Sequence, residues 1–192
     1  MAILTFPAIT PARSSWGLKS ITETFTSPLN GAVQTAGRLG SRWKATLDFF
    51  PLNDTQTRLM ESFFMQLDGM AGRFYLTPHH RLGTGAACTV NGAGQVGSTL
   101  MLTCAANRLF LAGDYFNVNG EFKMITADVT ASGAGAVTVQ FAPMLRASPP
   151  NTASVVFTQP TILAMLTVDE FAISREPGTW ASGLALTCSE VF

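Results

Sequence analysis

The 192 residues suffice for one sizeable core or for a domain that carries a smaller insertion, and length alone does not decide between them. Only 12% of the residues are charged, against about a quarter in typical soluble domains, whereas 47% are hydrophobic. Lys plus Arg equals Asp plus Glu at 12 each, so no strong field exists to hold a polyanion, and specific nucleic-acid binding is not expected.

The opening M-A-I-L-T-F-P-A-I-T-P-A-R has no basic residue ahead of its apolar ones and is interrupted by Pro7 and Pro11, so a signal peptide is not expected. Strand-like runs follow at residues 20–26 and 43–49. Between them lies a segment read as turn-rich, with Pro28, Asn30, Gly31, Gly37 and Gly40, and with Gln34, Thr35, Arg38 and Arg42 among them. Residues 53–68 have helical periodicity. Leu59, Phe63 and Leu67 recur at four-residue spacing, flanked by Met60, Phe64 and Met70, and form the expected core stripe. Asn53 followed by Gln56 matches a capping box, Asp54 and Glu61 lie towards the positive N-terminal end, and Gly69 suits a left-handed cap.

A short strand at 74–77, stopped by Pro78, precedes a change of composition. Strand-like runs at 86–90, 99–104, 115–118, 121–129, 136–141 and 153–158, separated by turn signals, predict a small β-barrel or sandwich. Asn119-Gly120 predicts a two-residue hairpin, Ser132-Gly133-Ala134-Gly135 closes a second, and Pro149-Pro150-Asn151 forces a further break. The stretches from Thr161 and from Leu184 supply two or three more strands. Strands and a helix, then a β module, then strands again suggest an insertion: a parent domain of residues 1–80 plus 160–192 around an inserted domain of residues 81–159. The longest uninterrupted apolar run, within 162–166, is far short of the ~20 residues a helical membrane span needs, so membrane insertion is not expected.

Several patterns invite a chemical reading. Gly92-Ala93-Gly94-Gln95-Val96-Gly97 spells the dinucleotide fingerprint, with Asp114 downstream, but the β-like stretch at 99–103 stands where a helix is required to face the pyrophosphate. His79 and His80 are adjacent, so on an extended chain they point to opposite faces and cannot readily chelate together. Asp48, Asp54, Glu61 and Asp68 lie along a strand and a helix without a spacing that defines a glycosidase pair. No G-x-S-x-G is present. Cys88, Cys104 and Cys188 are odd in number and lack C-x-x-C spacing, which favours reduced thiols over a disulfide framework or a zinc ribbon; Cys88 and Cys104 could still meet on neighbouring strands. No catalytic, cofactor or metal residues are therefore assigned. Trp16, Trp43 and Trp180 lie near turns or strand ends, where large aromatics finish a core, anchor an interface or stack on sugar.

The pattern S-P-L-x-G-x-x-Q-T from Ser27, followed by G-x-R-W and an alternating strand, resembles the N-terminal belt domain of the distal tail proteins of long-tailed phages. The likeness extends to L-D-G-M-A-G-R-F-Y-L-T-P from Leu67. It also covers Met124 to Val129 with Gly135 to Val139 and Pro143 to Arg146, which resemble the hairpin of an inserted barrel. The resemblance implies a mainly β protein: a belt β-sandwich with one helix and an inserted OB-like β-barrel. It also implies a ring of six copies joining the tail tube to the tip hub in the virion tail, with DNA passing through the lumen, after synthesis in the host cytoplasm. The chain would be structural, not an enzyme, with the tube and hub proteins as partners. A long C-terminal extension of the kind that carries carbohydrate-binding modules in some members is not expected, and host adhesion by this chain is not expected either. Trp16, Gln34, Thr35, Arg38, Arg42 and Trp43 are the expected subunit-interface residues, since Arg forks and aromatics are enriched at interface hot spots. A carbohydrate-binding β module using exposed Trp residues is the alternative, and an unrecognised hydrolase the third reading.

Overall fold

A computed structural model describes residues 3–79, 83, 86–174 and 183–192; His80 and Trp180 lie outside them. In chain order the strands are β1 (Leu4–Thr5), β2 (Arg13–Thr26) and β3 (Val33–Asp48), then helix α1 (Asp54–Leu67) and β4 (Phe74–Leu76). There follow β5 (Cys88–Val90), β6 (Thr99–Thr103), β7 (Leu109–Phe110), β8 (Tyr115–Val118), β9 (Glu121–Ile125), β10 (Val129–Thr130), β11 (Ala136–Ala142) and β12 (Ser154–Val156). The chain closes with β13 (Ile162–Leu166) and β14 (Ala185–Glu190). The protein is mainly β, with a single α-helix among the described residues.

Two β assemblies share the chain. A six-stranded sheet runs β1-β4-β13-β14-β3-β2, and a closed six-stranded barrel runs β11-β6-β5-β12-β8-β9, with β9 pairing back to β11. All barrel pairings are antiparallel; β1 and β4 run parallel. Closure leaves the barrel without an open strand edge.

Each assembly has its own apolar core. Val90, Leu100, Leu102, Phe116, Val139, Phe141 and Phe157 fill the barrel. The sheet core combines Leu47, Phe74, Leu76, Ile162 and Leu186 with Met60, Phe63, Phe64 and Leu67 of α1. It also takes in Tyr115 and Phe122, which stand on β8 and β9 and face away from the barrel interior toward the sheet. Successive strand residues face opposite sides, so Phe116 packs inside the barrel while its neighbour Tyr115 packs outside it.

The local signals are used with small shifts. Asn53 caps α1: its side chain accepts the Gln56 backbone N–H at 2.9 Å, and the Gln56 side chain accepts the Asn53 N–H at 3.1 Å. Asn53→Ala is expected to cost about 1 kcal/mol of stability, read in a thermal or urea melt against wild type. The left-handed C-cap residue is Asp68, at φ 56°, with Gly69 next at φ 61°, so the helix stops one residue earlier than the glycine suggested. The buried stripe is Thr57, Met60, Phe63, Phe64 and Leu67. Leu59, expected in it, is exposed, because it sits ~100° around the helix from Met60. Asn119 and Gly120 take φ of 50° and 75° between β8 and β9, the two positive values of a type I′ turn.

The larger departure lies at residues 27–42, read as turn-rich. The turn is confined to about residues 27–32, closed by Ser27 N–H to Ala32 O at 2.8 Å and Gly31 N–H to Ser27 O at 3.0 Å. From Val33 the chain is already strand, running through Gly37 and Gly40. Glycine weakens a strand by offering no side chain to pack, which costs little where nothing packs anyway: no atom lies within 4 Å of a Cβ built at Gly37. Gly40, at φ 117°, sits where β2 shifts register between Lys19 and Ile21, a bulge that favours this residue.

Candidate assembly surface

Strand β14 pairs with β3 only over Lys44–Asp48, yet β2 and β3 stay paired out to Thr26 and Val33. Beyond the sheet the two strands therefore continue as a two-stranded arm. Its exposed part, six residues on β2 and seven on β3 at ~3.3 Å each, is about 20 Å long. Residues 21–26 and 33–39 are all exposed on both faces.

Register sorts the arm's side chains. Ile21 opposes Arg38, Glu23 opposes Ala36 and Phe25 opposes Gln34, which places these six on one face. Thr22 opposes Gly37, Thr24 opposes Thr35 and Thr26 opposes Val33; with Leu39 they form the other face, which has no charged residue. The first face holds the arm's ion pair, Arg38 to Glu23 at 2.7 Å, largely exposed. Phe25 is 62% exposed, Leu39 60%, and Leu29 in the turn 95%.

The base of the arm is fixed firmly. Trp43 is 3% exposed; its indole N–H donates to Phe122 O at 3.1 Å, and its ring packs edge-on against Tyr115 and Phe122. Its backbone N–H donates to Glu190 Oε2 at 3.1 Å. Trp16 lies half-buried against the same two rings. The guanidinium of Arg42 lies 4.6 Å from the Phe192 ring centre and that of Arg146 4.0 Å from it. A crevice of about 240 Å³ opens beside the base, lined in part by Leu18, Leu39, Gly40, Met144 and Arg146.

Behind the crevice four charged groups meet at the junction of barrel and sheet. Lys123, fully buried, reaches Glu121 Oε2 at 2.7 Å and donates to Met144 O at 2.9 Å. Glu121 also accepts the backbone N–H groups of Arg146 and Ala147 at 3.0 and 2.9 Å, and Arg146 reaches Glu190 at 3.0 Å. Burial pushes the Glu121 carboxyl up, but the Lys123 ammonium and the two backbone donors outweigh it and hold it below its ordinary value. Burial pulls the Lys123 ammonium down by more than Glu121 raises it. The cluster is thus a connected set of ion pairs and hydrogen bonds in which the Lys123 side chain is closed off from solvent. It ties β9, the segment after β11, and β14 together.

Of the six expected interface residues, Gln34, Thr35 and Arg38 stand on the arm and Arg42 at its base. Trp43, expected at a subunit interface, is buried at the junction within the chain, because the barrel's Tyr115 and Phe122 cover it. Ile21, Phe25, Leu29, Val33 and Leu39 were not singled out. Ile21 and Phe25 lie in the run at 20–26 already read as strand, whereas Val33 and Leu39 were hidden by reading Gly37 and Gly40 as turns. Comparison with known proteins finds no family model and no curated protein that matches this chain.

The other sequence patterns take up local roles. Gly92, Gly94 and Gly97 have positive φ in the loop from β5 to β6, and strand β6 follows where a nucleotide site needs a helix. The Gln95 side chain closes that loop, donating to Asn91 O at 3.0 Å and accepting the Met101 N–H at 2.6 Å. Among the described residues no group of three or more His, Cys, Asp or Glu side chains is placed to hold a metal ion, and no helix is long and apolar enough to cross a membrane.

Proposed function

We propose that this chain is a structural subunit of a phage tail tip, a distal tail protein that forms a ring of six between the tail tube and the tip hub. In this reading the sheet with α1 is the belt β-sandwich, the barrel is the inserted OB-like domain, and DNA passes through the lumen. The observation that carries the reading is the arm. A two-stranded ribbon is marginal in water unless a third strand or a packed apolar face supports it. This one has neither over residues 21–26 and 33–39, and it presents Phe25, Leu29, Val33 and Leu39 to solvent. In a ring each arm is covered by the next copy. Heterologous contacts of this kind close into rings when the rotation between copies allows it. The shortage of charge fits a permanently assembled subunit.

Negative-stain imaging or mass photometry of the protein with its tube and hub partners tests the reading: a ring is expected, and a species that stays monomeric with those partners present overturns it. Replacing Arg38 and Arg42 by Ala is expected to weaken ring assembly while lowering the subunit's melting temperature by no more than a few degrees, through the lost Glu23 pair and the Arg42 contact with Phe192. The Arg38–Glu23 pair is exposed, and exposed pairs contribute ~1 kcal/mol at most to folding. Unchanged assembly of the double variant removes these two residues from the interface.

A further inference from the structure

The barrel holds two cysteines on neighbouring strands. Strands β5 and β6 pair Thr89 with Thr103 and Val90 with Leu102, and the same register carried one residue further sets Cys88 opposite Cys104. Asn91 donates its N–H to Met101 O at 2.9 Å, so 91 and 101 form a hydrogen-bonded pair. Such pairs alternate with non-bonded ones, which makes 88 and 104 a non-bonded pair. The Cys104 N–H turns away from β5 and donates to Gly135 O at 2.8 Å, as that alternation requires. Non-bonded antiparallel pairs have Cα atoms ~4.5 Å apart, inside the span of about 4.4–6.8 Å that a disulfide bridges.

We propose that Cys88 and Cys104 are a thiol-oxidation site, closed by a low-molecular-weight disulfide such as oxidised glutathione into a cross-strand bond between β5 and β6. The two residues differ in a way that orders the steps. Cys104 is half-buried, its Sγ 3.3 Å from Gly135 O, and is the thiol an external reagent can reach. Cys88 is fully buried and hydrogen-bonded to Cys104. Burial pushes the Cys88 thiol up to about 12 against the pull of the Arg108 guanidinium, so it does not start the reaction.

The Cys104 thiolate attacks one sulfur of the reagent, forming a mixed disulfide and releasing one glutathione thiolate. Cys88 then loses its proton and attacks Cys104 Sγ, breaking the mixed disulfide and releasing the second glutathione. The two protein protons leave on the two glutathiones, and the two electrons taken from the protein thiols reduce the reagent. Arg108 Nη1, 3.0 Å from Cys88 Sγ, stabilises the thiolate as it forms. Cys188, buried in the sheet core, serves as an internal control.

Intact-mass analysis and peptide mapping of the folded chain, incubated with oxidised glutathione, read the result. A loss of about 2 Da is expected, with Cys88 joined to Cys104, Cys188 still free, and a rise of ~5 °C in melting temperature that reductant reverses. Cys88→Ala should stop at glutathione held on Cys104, and Cys104→Ser should leave Cys88 unmodified. Three free thiols after prolonged treatment, glutathione retained on Cys104 of the wild type, or a bond that includes Cys188 would each overturn the proposal.

Discussion

Glu121→Ala is expected to cost about 3–5 kcal/mol of folding stability, the largest effect of any single polar substitution argued for this chain. The loss does not come from one ion pair's Coulomb energy. Lys123 is completely buried and its ammonium sits 2.7 Å from Glu121, so removing the carboxylate leaves a charge in the interior with Met144 O as its remaining hydrogen-bond partner. The N–H groups of Arg146 and Ala147 lose their acceptor in the same step. The double variant Glu121→Ala, Lys123→Met separates the causes. If the uncompensated ammonium is the main cost, the double variant should recover at least half of the loss in urea denaturation; purely additive costs would refute that account.

The same carboxylate sets an acid dependence. Its folded value lies below the ordinary one, so its contribution is complete above the unfolded pKa and disappears as the pH falls through the folded one. The stability gap between wild type and Glu121→Ala should therefore narrow as the pH falls below the ordinary carboxylate value, read in urea melts across that range.

Element existence was largely legible from local patterns: the capping box of α1, the Asn119-Gly120 turn, and most barrel strands to within a residue or two. The exceptions each have a physical reason. The run at 121–129 breaks after Ile125 because β9 ends there and Val129–Thr130 pairs with β7, a two-residue strand too short to leave a periodic signal. The charged cluster was illegible because its members, at 121, 123, 146 and 190, meet only through the fold. Glu121 and Lys123 look like solvated residues beside a hairpin, and strand alternation instead aligns them with the inward-facing Ile125. The arm was misread because glycine reports a turn only where the chain must turn. On a ribbon exposed on both faces it is simply a strand residue with nothing to pack.

Lysine placed at both Val33 and Leu39 is expected to abolish ring assembly while shifting the subunit's own stability by less than about 0.5 kcal/mol, because both side chains already face solvent. In a ring that covers this face, each side chain would contribute ~1.5–3 kcal/mol on burial. Losing both weakens association by roughly 10²- to 10⁴-fold, before the cost of desolvating two ammonium groups. Sedimentation velocity reads the assembly and a thermal melt reads the subunit. Wild-type assembly of the double variant would show that this uncharged face stays open in the ring. The argument for its being covered comes from what the arm omits. Proteins guard open strand edges with lysine, proline, bulges or short strands. Here the one bulge sets Leu39, Gly40 and Ser41 of β3 opposite Ser20 at the base of the exposed stretch, and beyond it the arm carries only Glu23 and Arg38, paired on the opposite face. A ribbon so lightly defended and so long is an aggregation hazard in a lone subunit and a contact surface in an assembled one, and the lysine pair distinguishes the two by acting on the assembly alone.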